Sequence, residues 1–208
     1  MGSTQKAKIA VLVSGGGTNL QALIDAQVNG IINSGVISLV ISNNANAYAL
    51  TRAENAGIAT SVVTKKELGS QEAFEEKLVS VLEENGIELI VLAGFMSILS
   101  ERFTSRYPKR IINVHPSLIP SFCGKGFYGL RVHEAALEYG VKVTGATVHF
   151  VNEIPDGGEI ILQKSVCIKK NDTPEILQKR VMKQAEWIIL PKAAELVCAE
   201  IIAKREEK

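Results

Sequence analysis

Short unbroken apolar runs alternate along the chain with longer stretches in which apolar residues recur every three or four positions. "KIAVLVS" precedes "NLQALIDAQ", "VISLVIS" precedes "AYALTRAENAG", "IATSVVT" precedes "QEAFEEKLVSVLEENG", and "ELIVLAG" precedes "SERFTSRY". Runs of Val, Ile and Leu without polar alternation suit strands covered on both faces, and the three-to-four spacing suits amphipathic helices. This is a βαβ series, so an α/β fold with a doubly wound, mostly parallel open sheet of the Rossmann kind is expected.

The pattern changes after Arg110. A strand "RIINVH" leads into a loop reaching about Gly129, a helix "LRVHEAALEYG", and two β runs, "VTGATVHFV" and "EIILQKSVCIK", around "NEIPDGG". Some antiparallel pairing is expected in this second half. Gly57 and Gly86 stand where helices want a left-handed terminal residue, and Asp172-Thr173-Pro174-Glu175 starts a last helix at about Pro174. Pro191 is expected to divide or bend that helix, and the tail "AKREEK" to be solvated. No repeat, low-complexity tract or linker interrupts the 208 residues, so one domain is expected.

Charge changes the picture by exclusion. With 23 Lys and Arg against 22 Asp and Glu, the formal charge is +1 and no basic stripe is present, which argues against nucleic acid as a partner. No apolar run approaches the roughly 20 residues of a membrane span, and "MGSTQKAKIA" lacks the apolar middle of a signal peptide. The three cysteines, Cys123, Cys167 and Cys198, have no Cys-x-x-Cys spacing. A soluble cytoplasmic protein with reduced thiols is expected, and Cys123, without an evident acid or base beside it, is read as unreactive.

Chemistry gathers in three places. "SGGGTNLQ" joins the first strand to the first helix, where backbone N–H groups and the helix dipole favour an anion; Gly15, Gly16 and Gly17 allow close approach. Leu20 stands where a dinucleotide fingerprint needs glycine, and the loop has no P-loop lysine, so Thr18 and Asn19 suit a terminal monophosphate instead. A plain turn capped by Thr18 or Asn19 is the competing reading. Asn113 and His115, two apart on a strand that Pro116 ends, project from one face at the carboxyl edge of the sheet, where ligands bind. An amide beside an imidazole can stabilise an oxyanion and move a proton. Asp156, in "PDGG", would raise the His115 pKa if the strand ends converge; otherwise it is a turn aspartate. His133 reads as structural or exposed, and His149 as a hydrogen-bonded strand histidine. Three histidines without ligand spacing give no metal site.

Taken in order, "SGGGTNLQALIDA", "VLAGFMSILS", "INVHPSLIPSF" and "TGATVHFVNEIPDGGEIILQ" resemble the phosphoribosylglycinamide formyltransferase family over nearly the whole length. The resemblance implies transfer of a formyl group from 10-formyltetrahydrofolate, a co-substrate, to the amine of glycinamide ribonucleotide, without a metal. It implies Asn113, His115 and Asp156 as catalytic residues. Gly16, Gly17, Thr18, Asn19, Lys183 and Glu186 become phosphate and substrate contacts, and Met96, Ser97, Ile98, Leu99, Val151 and Asn152 folate contacts. It also implies a phosphate-binding half over about 8–100 and a catalytic, folate-binding half over about 101–208, in a monomer or homodimer. Ser97 stands where the family often has arginine, and the loop 121–129 is altered. The related deformylases usually add an N-terminal regulatory domain and methionyl-tRNA formyltransferases a C-terminal barrel, so length disfavours both. A non-catalytic phosphate sensor would explain the glycine loop but not Asn113, His115 and Asp156 together.

Overall fold

The computed structural model describes residues 5–207, so the first four residues of the "MGSTQKAKIA" reading and Lys208 of the tail lie outside the described residues. A seven-stranded sheet runs through the molecule in the order β3-β2-β1-β4-β5-β6-β7. Strands β1 (Ala7–Val13), β2 (Gly35–Ser42), β3 (Ala59–Val62), β4 (Leu89–Leu92) and β5 (Ile111–His115) pair in parallel. Strands β6 (Val143–Phe150) and β7 (Ile160–Cys167) are added antiparallel. The expected mixture of parallel and antiparallel pairing is thus present.

Helices cover both faces. They are α1 (Thr18–Val28), α2 (Tyr48–Asn55), α3 (Lys65–Leu68), α4 (Gln71–Glu84), α5 (Glu101–Thr104), α6 (Leu130–Tyr139), α7 (Pro174–Val181) and α8 (Trp187–Glu206). Alternate residues of β1 feed opposite cores: Ile9, Val11 and Val13 pack with Leu20, Leu23 and Leu190, while Ala10 and Leu12 pack with Phe74, Leu78 and Phe103. That two-sided burial is why the strands read as continuous apolar runs, each buried Leu or Ile contributing about 1.5–3 kcal/mol.

Helix ends follow the sequence signals in part. Thr173 caps α7, its hydroxyl accepting from the Ile176 N–H, and Pro174 takes the first helical position. Gly57 and Gly86 follow α2 and α4 with φ of 69° and 63°. Pro191, however, neither divides α8 nor ends it. The distortion lies one turn earlier, where Met182–Glu186 form a π turn between α7 and α8. Pro191 has no N–H for the Trp187 carbonyl, and Trp187 sits at ψ −10°, tilted off helical geometry, so the widened turn accommodates the ring. The described residues of the tail are exposed, as expected, although α8 continues to Glu206 and Arg205 pairs with Glu88 and donates to the Gln5 carbonyl at 2.7 Å.

Candidate active site

The glycine loop is built by exclusion. Gly17, at φ 72°, precedes α1, and a Cβ there would lie 2.7 Å from the Ala49 Cβ and 2.8 Å from its Cα. Neither the torsion nor the space admits a side chain. No side chain caps α1, contrary to the reading of a turn capped by Thr18 or Asn19, so its first N–H groups are left to another acceptor. Arg52 fixes the loop from α2, donating through Nε to the Gly16 carbonyl at 2.8 Å. Gly17→Ala is therefore expected to lower stability by at least about 1–2 kcal/mol from the left-handed torsion alone; thermal melting checks it.

Asn19 behaves differently from expectation. Its amide Nδ2 donates one N–H to Glu186 Oε2 at 2.8 Å, so that donor is taken. The side-chain Oδ1 is buried without a partner. Glu186, on the π turn, is only 6% exposed, and burial pushes its carboxyl up to about 7 despite the Asn19 hydrogen bond. Lys183, on the same turn, is exposed.

At the other end of the site, β5 brings up Asn113 and His115 on one face, as the strand period requires. The β5–β6 register sets His149 directly opposite Asn113 and Thr147 opposite His115. Asp156 reaches them from the turn after β6. Gly158 makes that turn possible, because a Cβ on it would come within 1.7 Å of the Phe150 carbonyl oxygen. The Asp156 backbone is held at φ 56° and its Oδ2 accepts from the Gly124 N–H at 2.8 Å. The His115 Nδ1 lies 3.4 Å from Asp156 Oδ2, and His149 Nε2 lies 3.6 Å from Asp156 Oδ1. The three residues expected to meet do meet, and His149 joins them.

Hydrogen bonds assign the ring protons. The His115 Nε2–H donates to the Phe122 carbonyl at 2.9 Å, which leaves Nδ1 facing Asp156. The His149 Nδ1–H donates to the Phe150 carbonyl at 2.8 Å, so its Nε2 accepts from Asn113 Nδ2 at 3.3 Å. Asn113 thereby keeps one amide N–H and its oxygen for the cleft.

The electrostatics contain the upward pull expected of Asp156 on His115 and set burial against it. Burial lowers the His115 pKa below its ordinary 6.5, and Asp156 and the Phe122 carbonyl oppose that only in part. His115 is therefore neutral at rest. Burial pulls Asp156 upward, but the His149 and His115 rings in their protonated forms, together with the Gly124 N–H, bring it below its ordinary value. His133 is fully buried, both ring nitrogens without a partner among the described residues, and burial, with repulsion from His115 once that ring is protonated, lowers it to about 4. It is structural, as read, but not exposed. Cys123 does have an acid nearby: burial and then Asp156 raise its thiol, which keeps it unreactive.

A cleft of about 140 Å³ adjoins this cluster. Ser97, Ile98 and Leu99 line it from the loop after β4, Val151 and Asn152 from the end of β6, and Asn113, His149 and Asp156 line it as well. Met96 lies outside the lining, 58% exposed, with its N–H on the Ser14 hydroxyl at 2.8 Å. Met96 is therefore not a core residue, while Leu99 is buried and lines the cleft.

The formyl transferase family model matches residues 7–193. The chain belongs to that family. Within it, the chain is 44% identical to the phosphoribosylglycinamide formyltransferase of Haemophilus influenzae, covering 88% of this chain and 84% of that one. It is 47% identical to the trifunctional purine biosynthetic protein adenosine-3 of Gallus gallus over 94% of its own length but only 19% of that protein's. The chain thus spans about a fifth of the trifunctional relatives it matches. The crystal structure of glycinamide ribonucleotide transformylase 1 from Symbiobacterium toebii superposes with a TM-score of 0.87 at 40% identity, covering 94% of this chain and 89% of that one. Among the described residues of this formyl transferase, no group of three or more His, Cys, Asp or Glu could hold a metal ion, and no helix is long and apolar enough to cross a membrane.

Proposed function

We propose that this formyl transferase moves the formyl group of 10-formyltetrahydrofolate to the amine of glycinamide ribonucleotide, a step of de novo purine biosynthesis. The observation that supports the reading is that Asn113 and Asp156 line one cleft while His115 lies behind them, its Nδ1 3.4 Å from Asp156 Oδ2. The folate occupies that cleft, against Ser97, Ile98, Leu99, Val151 and Asn152, with Met96 at its rim. The ribonucleotide phosphate sits on the backbone of Gly16, Gly17, Thr18 and Asn19, with Lys183 as the nearby cation and Glu186 holding Asn19. The phosphate-binding role thus falls mainly to the half before about residue 100. The enzyme works in the cytoplasm, where Cys123, Cys167 and Cys198 stay reduced, as a monomer or homodimer.

The ribonucleotide amine attacks the formyl carbon. A new C–N bond forms, and the carbonyl oxygen takes the negative charge toward the free amide N–H of Asn113. His115, neutral at rest, takes the amine proton at Nδ1, where Asp156 stabilises the imidazolium, and returns it to the folate nitrogen as the old C–N bond breaks. No proton is gained or lost overall.

The test is formyl release from the folate with and without the ribonucleotide. Release that requires the ribonucleotide and yields its N-formyl product is expected. Equal release without it would mean that water is the acceptor and the enzyme a hydrolase.

A further inference from the structure

The cleft wall made by residues 95–99 belongs to no helix or strand, yet it presents Ile98 at 74% exposure. A loop that keeps a large apolar side chain in water needs something to hold it there. Its first part is tied to β1, through the Ala93 N–H on the Leu12 carbonyl at 2.9 Å and the Met96 N–H on Ser14 at 2.8 Å. Its middle is tied by Asn43, whose Nδ2 donates to the Ser97 hydroxyl at 2.8 Å.

The end of the loop is tied differently. Glu75, on α4, is a carboxylate only 6% exposed, and no Lys or Arg pairs with it among the described residues. Its Oε1 accepts from the Ser100 N–H at 2.7 Å and from Gln71 Nε2 at 2.7 Å, and its Oε2 accepts from the Ser100 hydroxyl. Gln71 Nε2 donates as well to the Ile98 carbonyl, at 3.1 Å. A buried carboxylate without a cation is costly unless its lone pairs are filled, and here every bond that fills them leads to the segment 98–100 or to the side chain gripping it. Ser100 also caps α5, so the same residue ends the cleft wall and starts the next helix.

We propose that Glu75 and Gln71 are positioning residues for the folate: they clamp the Ile98–Ser100 end of the loop and so set the shape of one cleft wall. Neither touches the reacting atoms. Neither lines the cleft, and both lie on a helix remote in sequence from Asn113, His115 and Asp156. Their removal should therefore loosen folate binding and leave the ribonucleotide site and the chemical step alone. This rests on the formyl-transfer reading, because it assigns the cleft to the folate.

The experiment compares Gln71→Ala, Glu75→Ala and Glu75→Gln with the parent, measuring KM for each substrate, kcat, and the Kd for tetrahydrofolate by calorimetry. Gln71→Ala leaves the Glu75–Ser100 bonds in place and removes the grip on the Ile98 carbonyl together with one of the three donors to Glu75, so it folds even if Glu75→Ala does not. Its KM and Kd for the folate are expected to rise about fivefold to tenfold, the scale of one lost hydrogen bond, with kcat and the ribonucleotide KM within twofold of the parent. Glu75→Gln keeps an oxygen for the Ser100 N–H and offers an amide to the Ser100 hydroxyl, and is expected to bind folate within about threefold of the parent. A Gln71→Ala enzyme with unchanged folate KM and Kd overturns the clamp, as does an equal rise in both substrates' KM. A parent that neither binds tetrahydrofolate nor transfers formyl overturns the proposed function itself, and the clamp with it.

Discussion

His115→Ala is expected to lower kcat on the order of 100- to 1,000-fold, and Asn113→Ala by a similar factor, with both variants melting close to the parent. The reason is the division of labour in the site. Asn113 spends one amide N–H on His149 and has one left for the oxyanion, so its removal deletes a preorganised donor. His115 spends Nε2 on the Phe122 carbonyl and has Nδ1 left for the travelling proton. Asp156→Asn should cost as much, because a neutral amide beside Nδ1 no longer favours the imidazolium formed in transit. The sign of its pKa effect is fixed. Asp156 acts upward on His115 against burial, so its loss drives the imidazole further below 6.5. An NMR titration of His115 in the parent and in Asp156→Asn reads this directly. Steady-state turnover within a few fold of the parent for either alanine variant would falsify the role assignment.

The parts of this site that the sequence made legible are those governed by local periodicity. The strand period put Asn113 and His115 on one face, and the proline after them marked the sheet edge. What it left hidden depends on pairing. His149 was read as a satisfied strand histidine, and its Nδ1 is indeed satisfied by Phe150, but its role toward Asn113 follows only from the β5–β6 register. A pairing of "INVH" with "TVHF" about a common face was the available signal.

The direction of the His115 shift was hidden for a different reason. A neighbouring carboxylate can be guessed from a turn motif, whereas burial depends on how the loop 121–129 and the Asp156 turn close over the ring. Asn19 shows the same limit: the residue type promised an amide donor for phosphate, and a partner 167 positions away took one of its two N–H groups. The π turn carrying that partner left no periodic signature, because the apolar spacing continues through it and only the proline hinted at trouble.

That partner supports a second large effect. Glu186→Gln is expected to stabilise the fold at pH 8 and leave it nearly unchanged near pH 4.5. The folded carboxyl titrates at about 7 against an ordinary 4.5, so from 4.5 to 7 the folded state holds a proton that the unfolded state has released. Stability must fall as pH rises through that window, reaching a full penalty of about 3 kcal/mol above it. Glutamine has no such titration. Its oxygen can still accept from Asn19 Nδ2, and its amide can turn toward the buried, unpartnered Asn19 Oδ1, giving a reciprocal pair that ionised Glu186 cannot make. Urea unfolding of parent and variant at both pH values isolates the effect, since other titrating groups cancel in the difference. A gap between the two proteins that does not widen from pH 4.5 to pH 8 would show that Glu186 ionises as an ordinary carboxyl. What that buried charge does hold in place at neutral pH is Asn19, in the uncapped first turn of α1 beside the glycine loop, which is where the proposed function puts the phosphate.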